Sequence, residues 1–152
     1  IKVKVKMKNP YDILRCYPFS WICVTVIWVL CLIPMPETPL DGISMIDKWT
    51  HFVMYGGLCA VVWTEHAFNR PTINKRFLRT WAFIIPLLMG GLIEVVQATC
   101  TGGQRSGDVV DWLADGIGVL IGQGLGMLLA RAVASCRKGR KEGASCGNER
   151  RP

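Results

Sequence analysis

Histidine occurs only twice in this chain of 152 residues, no two of its seven cysteines are spaced as CxxC, and its long apolar runs hold few charges. The cysteine spacing excludes a zinc ribbon or a thioredoxin-like redox pair. An odd number of cysteines, with Cys16, Cys23, Cys31 and Cys59 in or beside apolar runs, predicts unpaired thiols and no disulfide framework. No internal repeat is present, which excludes a solenoid. The basic segments lack interleaved aromatics, so no nucleic-acid partner is expected. After the first apolar run, LIPMPETPL offers no small-x-small cleavage site. That run is therefore read as an uncleaved span and not a signal peptide.

What the chain does have is hydrophobicity gathered into blocks. Crossing about 30 Å of hydrocarbon takes roughly 20 helical residues at about 1.5 Å each. Four blocks approach or reach that length, at about Tyr17 to Ile33, Ile46 to Thr64, Thr80 to Ala98 and Val109 to Ala130. The expected fold is an all-α, polytopic membrane bundle of four transmembrane helices. It divides into a basic N-terminal segment (1–16), the membrane domain (17–130) and a basic tail (131–152) with little to bury, expected to be disordered.

The net charge of +7 is informative through its placement. Basic residues cluster before the first block, between the second and third, and after the fourth. Only Lys48 and Arg105 of the eighteen fall elsewhere. With four spans the three clusters share one side, which the positive-inside rule makes the cytoplasm, with both termini inside. Anionic membrane lipid is the expected partner of these clusters. Glu37, Asp41, Asp47, Glu94, Asp108, Asp111 and Asp115 all fall on the outer side or in the outer halves of helices.

Three polar stripes converge at that outer face. Asp47, His51 and Tyr55 step by four along the second block, with Lys48 beside them; Glu94 and Gln97 end the third; Asp108, Asp111 and Asp115 descend the fourth. Asp115 lies seven residues past Asp108, about 10 Å deeper at 1.5 Å per residue. A carboxylate facing lipid there would cost on the order of 2 kcal/mol or more, so it is expected to face inward and meet a partner. Below it Gly118, Gly122 and Gly126 recur every four residues, a spacing that lets two helix backbones approach closely.

The segments DKWTHFVMYGGL, EVVQ and QRSGDVVDWLADGIGVLIG, in that order, closely resemble the signature segments of the VanZ-like membrane protein family. The shared pattern is D-K-x-x-H-F-x-x-Y, E-x-x-Q and R-x-x-D-x-x-D-x-x-x-N-x-x-G-x-x-x-G. It covers Asp47 to Gly122, with Asp115 standing where the family usually has asparagine. The family takes its name from a small bacterial membrane protein associated with resistance to the glycopeptide antibiotic teicoplanin. The resemblance implies a multispan protein of the bacterial cytoplasmic membrane that acts on the cell envelope.

Several readings of the polar cluster stay open at this point. As a site, His51, Glu94 and Asp111 are the candidate catalytic groups, because His51 changes protonation near neutrality and a carboxylate can orient it or activate water. Asp47, Lys48, Tyr55, Gln97, Arg105, Asp108 and Asp115 are the candidate substrate-binding groups, Arg105 suiting a phosphate or carboxylate. The matching substrate is the polar head of a lipid-linked or amphiphilic envelope molecule. As a clamp, the same residues would fix how three helix ends meet, with capture of a lipid or amphiphilic ligand but no catalysis. His51 with Glu94, Asp108 or Asp111 also makes a nitrogen-and-oxygen set that fits many divalent ions, although no motif calls for a metal or other cofactor. Transport is the weakest reading, since matched broken helices are lacking.

Overall fold

The computed structural model describes residues 10–33, 45–69, 74–100 and 109–148, with only the backbone of residues 10, 45–47, 138 and 140–148. Among the described residues the fold is all-α. The helices are α1 (Pro10–Cys16), α2 (Pro18–Leu32), α3 (Met45–Asn69), α4 (Lys75–Cys100) and α5 (Val109–Asn148).

Two helices are long and apolar enough to cross a membrane, α4 and the Val109–Arg137 part of α5. Their large apolar side chains point out of the bundle at helical spacing: Ile85, Leu88, Leu92 and Val95 on α4, and Leu113, Ile117, Leu120 and Leu128 on α5. Such continuous exposed apolar stripes suit lipid and not water. α2 is apolar but shorter, at 15 residues. Pro18 stands at its first helical position. α3 has 25 residues and carries polar groups at both ends.

The most extensive pairing joins α3 and α5. They run parallel, Gly118 facing Phe52, Gly122 facing Gly56 and Gly126 facing Ala60 and Trp63. A methyl carbon built on Gly118 would stand 2.4 Å from the Phe52 carbonyl oxygen, and one on Gly122 would stand 2.2 Å from that of Gly56. The two backbones are in contact, and only hydrogen fits between them. α4 runs antiparallel to both, and α2 antiparallel to α3. Ile27, Cys31, Tyr55, Leu58, Cys59, Ile93 and Val119 form the core between the four long helices.

Pro86 lies inside α4, where its missing N–H deprives the Ala82 carbonyl of its helical donor. The Cys59 thiol of α3 reaches that carbonyl at 3.3 Å. A small weak donor from the neighbouring helix thus replaces the lost bond. The other described cysteines are free thiols as well.

The end of the bundle remote from His51 is held by helix-end contacts. Glu65 of α3 accepts hydrogen bonds from the Phe19 N–H at 2.8 Å, the Ser20 N–H at 2.9 Å and the Ser20 hydroxyl. These are the unpaired donors of the first turn of α2, and a carboxylate there also meets the positive end of the helix dipole. His66 is buried and shares a 3.0 Å hydrogen bond with the Tyr17 hydroxyl.

α5 continues beyond the membrane domain to Asn148. Arg137 explains part of this. Its guanidinium donates to the Ala67 carbonyl at 3.1 Å and the Phe68 carbonyl at 3.3 Å, and lies 5.1 Å from the Phe68 ring centre. Capping the last turn of α3 gives the extended helix a tertiary anchor, and a cation suits the negative end of that helix.

Candidate functional site

Parallel packing of α3 on α5 with α4 antiparallel to both brings the start of α3, the end of α4 and the start of α5 to one end. The register set by the glycine contacts then decides which polar groups meet. Lys48 pairs with Asp111, Nζ to Oδ1 3.1 Å, and stays partly exposed. One turn deeper, about 6 Å along the axis, His51 Nδ1 meets Asp115 Oδ1 at 3.0 Å, both side chains being buried. Tyr55 lies one turn deeper still, with its ring parallel to that of His51 and 6.5 Å away.

α4 closes the site. Glu94 is buried there, and His51, Glu94 and Asp115 each offer a ligand atom within 4.8 Å of the others. Gly90, one turn from Glu94 on the same face of α4, makes room for the carboxylate and phenol opposite. A methyl carbon built on it would stand 2.5 Å from Asp115 Oδ2 and 3.4 Å from the Tyr55 hydroxyl. Asp115 and Tyr55 are both 0% exposed. Asp115 Oδ2 and the Tyr55 hydroxyl are buried with no hydrogen-bond partner among the described residues.

The other residues singled out from the sequence divide into two groups. Gln97 is buried and donates to the Cys31 carbonyl at 2.9 Å, tying α4 to the last turn of α2. The side chain of Asp47, and Arg105 and Asp108 entirely, lie outside the described residues. Trp112, not singled out, ties α5 to α4 through its indole N–H and the Leu87 carbonyl at 2.9 Å. Glu65 was also missed. Its signal was an ionisable residue near the end of an apolar helix, which is seldom left without a role.

These features define a helical membrane protein with a buried polar site at one end of its bundle. The profile of the VanZ/LLP1 family matches residues 5–130, most of the chain, which therefore belongs to that family. The match covers every described residue of the site. No curated protein and no solved structure matches the chain.

Proposed function

We propose that this protein binds the polar head of a lipid-linked or cell-envelope molecule at the end of the bundle that carries His51, and modifies it by acid–base chemistry. The observation that carries this reading is Asp115, whose one oxygen holds His51 while the other is buried beside the unpartnered Tyr55 hydroxyl. Structural polar groups in this same chain look different. At the opposite end Glu65 has three donors, and Tyr17, Ser20 and Asn69 are hydrogen-bonded, the Trp63 indole alone lacking a partner there among the described residues. A buried carboxylate oxygen and phenol left unpaired cost stability, and such groups are retained where they meet a ligand.

In this reading His51 moves the proton, Asp115 fixes the tautomer and orientation of its ring, and Glu94 activates water or holds a substrate hydroxyl. The Lys48–Asp111 pair lies nearer the surface, where the head enters. The chain crosses the bacterial cytoplasmic membrane four times with both ends in the cytoplasm, so the site opens on the extracytoplasmic face. Supporting that orientation, Arg15, Lys75, Arg76, Arg79, Arg131 and Arg137 all lie toward the opposite end from His51. A reporter fused after Arg137 is expected to be active only in the cytoplasm. Activity outside the cell would invert the site.

The chemistry is tested with purified protein and an envelope lipid extract, analysed by mass spectrometry. Wild type is expected to convert a lipid-linked species, and His51→Ala, at unchanged melting temperature, to lose on the order of 10²–10⁴ in rate. A species retained through purification but never altered would establish capture in place of catalysis. Wild type that neither retains nor alters any lipid would leave only the clamp.

A further inference from the structure

We infer that His51, Glu94 and Asp115 bind one divalent first-row transition ion. The inference rests on the reading of this cluster as a ligand site, but not on any particular reaction there. Three observations carry it. The three side chains come from three helices, and one donor atom of each lies within 4.8 Å of the others. Asp115 Oδ2 and the Tyr55 hydroxyl are buried without a hydrogen-bond partner, both facing the space that Gly90 leaves open on α4. The donor set is one imidazole and two carboxylates in a water-poor interior.

That combination needs compensating charge. Were both carboxyl groups ionised beside a neutral imidazole they would carry two negative charges, and a divalent cation would neutralise both while using lone pairs that otherwise stay unsatisfied. Imidazole with carboxylates favours manganese, iron or zinc over the harder calcium and magnesium, and the lack of a thiolate disfavours copper(I). Ligands about 2.0–2.2 Å from such an ion stand roughly 3 Å apart, so the three groups need draw together by about 1–2 Å. Asp115 and His51 are already at 3.0 Å. Tyr55 closes the floor of the site, and the Lys48–Asp111 pair stands above it.

The test uses the full chain in detergent, stripped with chelator, and Mn²⁺ as probe, since manganese discriminates against the seven cysteines. Calorimetry is expected to show one Mn²⁺ per chain, and pulsed electron paramagnetic resonance to show coupling to a single imidazole nitrogen. That coupling should vanish in His51→Ala. Asp115→Asn should weaken binding by more than the roughly 10–100-fold typical of losing an outer-shell partner. Gly90→Ala removes no ligand but puts a methyl group against Asp115 Oδ2, and should weaken Mn²⁺ measurably in a folded chain. Folded wild type that binds no Mn²⁺, or variants that keep both stoichiometry and nitrogen coupling, would overturn the inference. The readout needs no substrate. A chain that binds no Mn²⁺ yet converts lipid in a His51-dependent way would refute the metal alone, whereas Mn²⁺ binding without any lipid ligand would refute the proposed chemistry alone.

Discussion

Gly122→Ala is expected to separate α3 from α5 and to be among the most damaging single-methyl changes available in this chain. The added carbon would lie 2.2 Å from the Gly56 carbonyl oxygen and 2.6 Å from the Gly56 Cα, both backbone atoms. No rotamer change relieves the overlap, so one helix must move outward by about 1 Å. Overpacked cores ordinarily lose about 1–3 kcal/mol, and a rigid backbone obstacle places this site at or above the top of that range. The seam fails as a unit because Gly118 and Gly126 share the same interface. Gly124 supplies the matched control, since a methyl carbon there meets nothing within 4 Å. Gly124→Ala should leave stability unchanged or raise it by up to about 1 kcal/mol through helix propensity. Thermal unfolding of both variants in one detergent checks the pair. Equal melting temperatures would mean that the α3–α5 contact contributes little.

The same contact explains which parts of the site could be read from the sequence. His51, Tyr55, Glu94 and Asp115 were legible because polar residues recurring every three or four positions in apolar helices mark inward faces. Their pairings were not legible. Asp47 and the carboxylates of the fourth block were all able to orient His51, and the partner is Asp115, 64 residues away. Asp111, a candidate catalytic group, pairs with Lys48. Both assignments follow from the register of α3 on α5, which depends on where backbone meets backbone, and a pattern within one helix carries no information about it. Glu65 and His66 escaped for a similar reason. Their partners, Ser20 in α2 and Tyr17 just before it, lie far away in sequence, and neither partner is unusual where it stands.

Glu65→Ala is expected to lower the melting temperature by about 10 °C, whereas Asp115→Asn should leave it near that of wild type or raise it. Both residues are buried carboxylates on long helices of the bundle, so burial alone does not separate them. Their partners do. Removing Glu65 strands two backbone N–H groups and the Ser20 hydroxyl at the start of α2. At about 1–3 kcal/mol for each unsatisfied group, the loss is at least about 3 kcal/mol. For a chain of this size each kcal/mol is worth about 2–4 °C. Asp115→Asn keeps an oxygen for His51 while exchanging a buried charged group with one unpaired oxygen for a neutral amide, which should cost no more than about 1 kcal/mol and can be favourable. A residue whose removal relieves the fold while weakening ligand binding is the signature of a site, because functional groups are held at the expense of stability. If Asp115→Asn instead destabilises the bundle as severely as Glu65→Ala, the cluster around His51 is a clamp like the one at the other end, and Asp115 is held there for the fold.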